Sequence, residues 1–389
     1  MIESVGSACT GCGACVSSCP KSCISMEERE LGHAYPVVDA GACIHCGVCQ
    51  RVCHALKPFE QGAFEGRSFA VQAIDERILA DSSSGGVFSL LAEETLRKGG
   101  VVYGSQWSRG TGAVHMRAAS FRELPTLRRS KYVHSETTRI FKLVRGDLTA
   151  GADVLFVGTP CQVAALKAFL GRDHKGLLTV DLVCHGVPSS TLFEKYLQWL
   201  EERTGKPLVE YNSRDKNAAG WSYLGSFRTE AGPTSVLPVD DPYVLMFNQN
   251  ATFRECCYTC PYAEARRVGD ITLGDFWGAE RLHLGIDLDK GVSVALASTE
   301  RGLRTLERAC ESCAFVEEVR FEDAARSNAN LTRPSSLPPE REEFADVYAS
   351  GGFPAVASLA GHRYKKEILK NRIKRAVPTP IKRFIKGAI

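Results

Sequence analysis

The sequence predicts a mixed α/β (α+β) protein in which a small cysteine-rich module at the N-terminus precedes a larger α/β region. Three observations carry this expectation. Residues 9–20 read CTGCGACVSSCP and residues 43–54 read CIHCGVCQRVCH, the same cysteine spacing twice. Residues 152–171 (ADVLFVGTPCQVAALKAFLG) and 177–200 (LLTVDLVCHGVPSSTLFEKYLQWL) each run from an apolar strand through a turn into an amphipathic helix, the order of an α/β layer. Residues 68–74 read as a strand, and 81–107 follow as loop, helix, turn and strand. A chain of 389 residues accommodates two or three domains with cores of their own. With 44% hydrophobic and 24% charged residues and a net charge of +3, it lacks the basic excess of a nucleic-acid binder. No apolar run is long enough to cross a bilayer and the first residues do not form a signal peptide, so a cytoplasmic location is expected. In a reducing compartment sixteen cysteines point to metal or redox chemistry, away from disulfides.

The front module carries Cys9, Cys12, Cys15 and Cys19 in one run and Cys43, Cys46, Cys49 and Cys53 in the other. Spacings of two place three thiolates of a tight loop on three irons of a cubane, and the fourth cysteine of each run serves the other cluster. The expected assignment is Cys9, Cys12, Cys15 and Cys53 for one 4Fe–4S cluster, and Cys43, Cys46, Cys49 and Cys19 for the second. Gly11, Gly13 and Gly47 let the loops turn sharply and aim amides at sulfur. Zinc would take four ligands from two CxxC pairs, not two matched sets of four. The second run ends in His54 where the first ends in Pro20. Residues 1–60 resemble bacterial two-cluster ferredoxins, which move electrons singly and have no substrate pocket, so an acceptor is expected downstream.

Further on, Ser82, Ser83 or Ser84 is expected to cap a helix whose buried stripe is Val87, Leu90, Leu91 and Leu96 and which Gly99 and Gly100 end. Gly85 and Gly86 permit close backbone approach. Such a loop suits a phosphate, and equally an ordinary capped helix. Residues 128–135 (RRSKYVHS) set Arg128, Arg129 and Lys131 beside Tyr132, a group suited to a diphosphate or an isoalloxazine ring, or a solvated charged turn. Cys161 and Cys184 follow two successive strands at matching positions, where ligands gather in α/β layers. Together with a Cys-x2-Cys pair from 256–260 they could enclose a third four-iron cluster; buried inert thiols and zinc are the alternatives. Cys23, one of Cys256 and Cys257, Cys310 and Cys313 remain unassigned.

Six ordered segments, SSGGVFS, SKYV, VLFVGTPCQVAAL, VDLVCHGVPS, SRDKNAAGW and CYTCPYAEARRVGDITLGDFWG, together resemble the coenzyme F420 hydrogenase/dehydrogenase beta-subunit family of iron–sulfur flavoproteins, over residues 1 to about 340. The resemblance implies FAD held by Ser83, Ser84, Gly85 and Gly86 and by Ser130, Lys131 and Tyr132, with Thr159 and Pro160 nearby. It implies a third 4Fe–4S cluster at Cys161, Cys184, Cys257 and Cys260; Cys256 stands where the family has a small residue, and Cys257 is taken as the ligand. The implied domains are residues 1–60 (two-cluster module), 61–150 (first FAD-binding part), 151–340 (third-cluster part) and 341–389 (basic tail). Clusters that pass single electrons and a flavin that passes hydride define an oxidoreductase. Its acceptor would be coenzyme F420 or an unidentified compound, and the wording is closest to bacterial relatives found among polysaccharide-biosynthesis proteins. His185 is the candidate proton donor, or a satisfied neighbour of the cluster. Asp270 and Asp275 orient cofactor or cap a turn, and Trp277 packs on flavin or fills core. The alternative is a non-catalytic subunit that hands electrons to a partner protein.

From His362 onward the chain carries ten Lys or Arg and one Glu. Ile368, Leu369 and Ile373 among these bases suit peripheral contact with the inner face of an anionic membrane, or a helix packed on its own domain. Pro378 and Pro380 should break any helix there. The expected partners are a redox protein or a small hydride acceptor, with no nucleic acid.

Overall fold

The computed structural model describes residues 1–57, 59–230, 232–311 and 313–376; the break expected at Pro378 and Pro380 lies outside them. Fourteen strands follow one another in these residues: β1 (Ile24–Glu28), β2 (Ala34–Val38), β3 (Arg67–Ala73), β4 (Val101–Ser108), β5 (Gly112–Ala118), β6 (Ser135–Glu136), β7 (Val154–Gly158), β8 (Leu177–Leu182), β9 (Leu208–Asn212), β10 (Ser226–Thr229), β11 (Ser235–Val236), β12 (Ile271–Asp275), β13 (Ser293–Ala297) and β14 (Ala314–Val319). The architecture is mixed α/β, as the sequence predicts.

In the front module, β1 and β2 pair antiparallel, Ile24 opposite Val38, behind two cysteine loops. Each loop turns into a short helix, Ala14–Ser18 or Val48–Arg51, from a left-handed glycine, Gly13 at φ +70° and Gly47 at φ +71°. This is the conformation glycine adopts without the Cβ clash.

A nine-stranded sheet in the order β14-β3-β13-β12-β8-β7-β4-β5-β6 forms the body. Its centre is parallel, with β4, β7, β8 and β12 side by side, and antiparallel strands extend it on both sides. All five residues of β7 are buried, which explains why VLFVG reads as an unbroken apolar run instead of alternating. Helix Val87–Arg97 lays Val87, Leu90, Leu91 and Leu96 on one face of the sheet, and Val163, Leu166 and Phe169 of helix Pro160–Leu170 pack with Phe141 and Phe156 elsewhere on it. A smaller antiparallel sheet, β11-β10-β9, joins an aromatic core of Phe193, Tyr196, Tyr211 and Tyr243. Residues 341–363, grouped by sequence with the basic tail, form a helix kinked at Gly352 that buries Phe344, Phe353, Val356 and Ala360 in that core.

The expected serine cap is corrected. Helix Val87–Arg97 starts from Gly86 at φ +90° with no side-chain cap, because the serines are engaged elsewhere. Ser82 donates to the Ile78 carbonyl, Ser84 donates to Val292, and Ser83 accepts from the Ser130 amide. Helix Pro160–Leu170 carries the complete capping box instead, between Thr159 and Gln162 with Pro160 in the first turn.

Candidate functional site

The C-terminal ends of β7 and β8 open on one cavity of about 540 Å³, within the range of roughly 300–1,000 Å³ usual for cofactor pockets. The capping box aims the first turn of helix Pro160–Leu170 at it and so presents Cys161. The loop after β8 presents Cys184 and His185. The short helix Glu255–Thr259 brings Cys256, Cys257 and, at its end, Cys260 to the same wall. The polypeptide reaches this arrangement through Gly186 at φ +136°, where a Cβ would stand 2.3 Å from the Phe253 ring.

Cys161 lies within electrostatic reach of Cys260, Cys184 and Cys257, and burial first, then these neighbours, push its thiol pKa up. Cys184 is pushed up to about 12 by burial and by Cys257 and Cys260. Four thiolates with no cation would repel one another here, so the donor set suits a cationic iron core that offsets them. Cys257 is the member of the adjacent pair that faces the other three, whereas Cys256 interacts with Cys257, Arg254 and Tyr35. In the front module Cys9, Cys12, Cys15 and Cys53 form a similar group, with Cys12 raised to about 12 by burial before its cysteine neighbours. Cys19, Cys43, Cys46 and Cys49 line a second cavity of about 100 Å³. Among the described residues no three His, Cys, Asp or Glu side chains converge closely enough to hold a single metal ion. Thiolates that each take a different iron of a cubane stand well apart and do not converge on one point.

Ser83, Ser84, Gly86, Ser130, Lys131, Tyr132, Thr159 and Pro160 all line the large cavity. Gly85 does not. Its amide donates to Ser293 and its carbonyl accepts from Ala73, and a Cβ there would stand 2.2 Å from the Val71 carbonyl. Arg128 is paired with Asp81 and Glu93, and Arg129 with Asp81. Lys131 is half-buried with Nζ donating to the carbonyls of Thr126, Arg128 and Arg129; desolvation, then Arg129, lowers its pKa to about 7. An anion in the cavity would restore its full charge. Asp275 reaches the cavity while accepting from Arg214 and from Trp221 Nε1, and Trp277 stacks on Trp221. Asp270 binds Thr179 and Thr299, tying β8 to the turn before helix Glu300–Cys310.

Sequence reasoning missed the contacts that join the two modules. His54 sets Nε2 3.0 Å from Thr10 Oγ1 and Nδ1 2.5 Å from the hydroxyl of Tyr262. His54 follows Cys53 and Tyr262 lies two residues after Cys260, so one hydrogen bond links the two cysteine groups. The exchange of proline for histidine at the end of the second run was the available signal. Arg254 donates to the carbonyls of Cys9 at 2.5 Å and Ala34 at 2.7 Å and lies over the Tyr35 ring. The buried Arg267–Asp181 pair, at 2.9 Å, fixes the segment after Cys260 to β8.

Residues 8–55 match the 4Fe-4S dicluster domain, and residues 151–320 match the family described as the C terminus of the coenzyme F420 hydrogenase/dehydrogenase beta subunit. Residues 151–320 thus carry the C-terminal region of the coenzyme F420 hydrogenase/dehydrogenase beta-subunit family. The chain joins an iron–sulfur dicluster domain to the C-terminal region of an oxidoreductase family. Among solved structures, a chain of the F420-reducing NiFe hydrogenase complex from Methanosarcina barkeri is 16% identical, with a TM-score of 0.45 and coverage of 79% of this chain and 96% of that one. Comparison with curated proteins finds no match. The beta-subunit match contains Cys161, Cys184, Cys257 and Cys260, and the dicluster match contains the eight cysteines of the two front runs.

Proposed function

We propose that this chain is an FAD- and iron–sulfur-dependent oxidoreductase in which the large cavity holds both the flavin and a third 4Fe–4S cluster. The observation that carries the reading is the shared wall. Ala8, Thr10 and His54 of the front module line the same cavity as Cys161, Cys184, Cys257 and Cys260 and as the Ser83, Ser130–Tyr132 and Thr159 segments. FAD, when bound, exchanges single electrons with clusters and an electron pair, as hydride, with an organic acceptor.

The residues have separable roles on this reading. Cys161, Cys184, Cys257 and Cys260 would hold the third cluster, with Arg267 fixing the segment that follows them. Ser83 holds the serine–glycine loop against the Ser130 amide, and Lys131 supplies a nearby cation for a phosphate. His185, on the cavity wall with Asp275, is placed to hold or deliver a proton at the reacting atom. The acceptor would be coenzyme F420 or another hydride acceptor, including an unidentified compound of polysaccharide biosynthesis.

The module boundaries at about residues 60, 150 and 340 belong to this proposal, as does a cytoplasmic location. At the end of the described chain, helix Lys365–Ala376 exposes Leu369 (60%) and Ile373 (57%), four residues apart among its bases, while Arg372 pairs with Asp240. That face supports peripheral contact with an anionic membrane. Among the described residues no helix is long and apolar enough to cross one. A second reading, electron delivery to a partner protein, is favoured by the exposure of Cys46 and Ile44 on the front module, an edge through which electrons could enter or leave.

The test is anaerobic purification with iron, sulfide and flavin quantitation, repeated on the Cys257→Ala, Cys260→Ala double variant. The expected result is about twelve irons and one flavin in the wild type, with about one third of the iron lost in the variant while the front clusters persist. A wild type with about eight irons and no flavin would leave a carrier on this scaffold and overturn the proposal.

A further inference from the structure

Cys23 belongs to neither cysteine run, yet it does not sit apart from them. Ser22, held at φ +51°, turns the chain back after Cys19, with the Ser22 amide donating to the Cys19 carbonyl. Cys23 therefore returns to the cavity that Cys19 lines, just before β1 begins. Its sulfur lies 3.4 Å from that of Cys19, and it also faces Cys43. Cys23 is only 8% exposed and lines the same 100 Å³ cavity as Cys19, Cys43, Cys46 and Cys49. The backbone amides of Lys21, Ser22 and Cys23 are also directed at Cys19 sulfur. Its main chain is held in place independently, since the Cys23 carbonyl accepts from the Asp39 amide at 2.8 Å.

A four-iron cubane takes one thiolate per iron, so a site with five cysteines has one thiol over. We infer that Cys23 is a working fifth thiol of the outer iron–sulfur site, donating a hydrogen bond to the sulfur of Cys19 and standing in reserve to replace it. The inference rests on the assignment of Cys19, Cys43, Cys46 and Cys49 to a cluster. Cys23 faces both Cys19 and Cys43, but its main partner is Cys19, the ligand that arrives from the other run and the one that shares a short loop with it. In the exchange, the iron–sulfur bond to Cys19 breaks, Cys19 takes up a proton, Cys23 releases one to solvent, and its thiolate bonds to the same iron. No electron changes hands. With Cys19 in place, the S–H donor stabilises charge on the ligand sulfur, and hydrogen bonds to cluster sulfurs raise the reduction potential.

Among the other unassigned cysteines, Cys256 likewise contacts a thiol assigned as a ligand, Cys257, but at the central cavity and as its chain neighbour. Cys310 is buried at the end of its helix, Cys313 is exposed, and Cys256 also faces Arg254.

The experiment uses the full-length protein, purified without oxygen, as Cys19→Ala, Cys23→Ala, Cys23→Ser and Cys19→Ala/Cys23→Ala variants. Iron and sulfide are counted and the potential of the outer cluster is measured by electron paramagnetic resonance titration. Cys19→Ala should keep the wild-type iron content, whereas the double variant should lose about four irons. Loss of the same four irons from Cys19→Ala alone would overturn the reserve role. Cys23→Ala should retain every cluster and move the outer potential downward, while Cys23→Ser, which keeps a donor, should move it less. An unchanged potential in Cys23→Ala would overturn the hydrogen-bonding role, and this arm stands even where Cys19→Ala fails to fold. Flavin content and the iron lost on removing Cys257 and Cys260 report on the central cavity separately, so the two proposals fail independently.

Discussion

At the scale of single residues, the cavity wall is built from side chains whose protonation is set by burial. His115 illustrates this away from the cysteines. Its Nδ1 lies 2.8 Å from Ser135 Oγ and its Nε2 3.0 Å from the Val157 carbonyl, so Nε2 carries the proton and the neutral ring is satisfied at both ends. Burial, set against the Val157 bond, lowers its pKa to about 4. Because the folded pKa lies below the unfolded value near 6.5, the ring's contribution is complete above pH 6.5 and is lost as pH falls towards 4, roughly 3 kcal/mol in all. A His115→Gln variant should show a shallower fall in stability between pH 6.5 and 4 than the wild type, measured by denaturant unfolding across that range. Equal slopes would mean that the ring does not stay neutral in the fold.

Among the elements, the β8 connection matters most. It must leave the sheet, present Cys184 and His185, and enter helix Ser190–Thr204, whose cap is Ser189. Gly186 makes the turn possible because its left-handed φ and the adjacent Phe253 ring leave no room for a side chain. The Arg254 amide then donates to the Val187 carbonyl, which locks this loop to the segment carrying Cys256 and Cys257. Gly186→Ala should destabilise the protein by about 2–4 kcal/mol, from overpacking together with backbone strain. On the proposed function it should also cost the iron held at Cys161, Cys184, Cys257 and Cys260 while sparing the front clusters. Iron analysis beside thermal unfolding distinguishes this from a general loss of fold, in which both iron pools would fall together.

Across the whole molecule, the front module is sewn to the body at many separate points. Thr137 donates to the Cys12 carbonyl at 2.8 Å, Ser189 to the Leu31 carbonyl at 2.6 Å, and Arg341 pairs with Glu30 at 2.7 Å. Arg254 is the central stitch, buried and bonded to two front-module carbonyls. Hydrogen bonds from a charged donor contribute about 1.5–3 kcal/mol each, so Arg254→Met should weaken the seam by several kcal/mol. The expected readout is faster amide exchange in residues 9–15 and 34–38, with exchange in β7 and β8 unchanged. Unaltered exchange at Cys9 and Ala34 would show that the other contacts suffice. A seam of this density holds Cys53 and Cys260 in a fixed relation through His54 and Tyr262, which a flexible tether could not do.

The sequence by itself determined the pieces whose signals are local. Cysteine spacing within a few residues reveals the two front cysteine loops, because the first three cysteines of each run lie together in one tight turn. Runs such as VLFVG followed by TPCQ reveal strand, cap and helix, because backbone hydrogen bonding and burial act within a dozen residues. The choice of Gly86 over the serines as helix start was not legible, since Ser83 and Ser84 bond to Ser130 and Val292, partners that sequence does not place beside them. The meeting of Cys161, Cys184, Cys257 and Cys260, the His54–Tyr262 bond and the return of Cys23 to Cys19 are different in kind. A spacing of four residues from Cys19 to Cys23 allows many separations, and only the left-handed turn at Ser22 brings the sulfurs together. Contacts between residues a hundred or two hundred positions apart depend on strand order and on how the front module docks, and those were decided by the tertiary structure, where burial and geometry act on the whole chain at once.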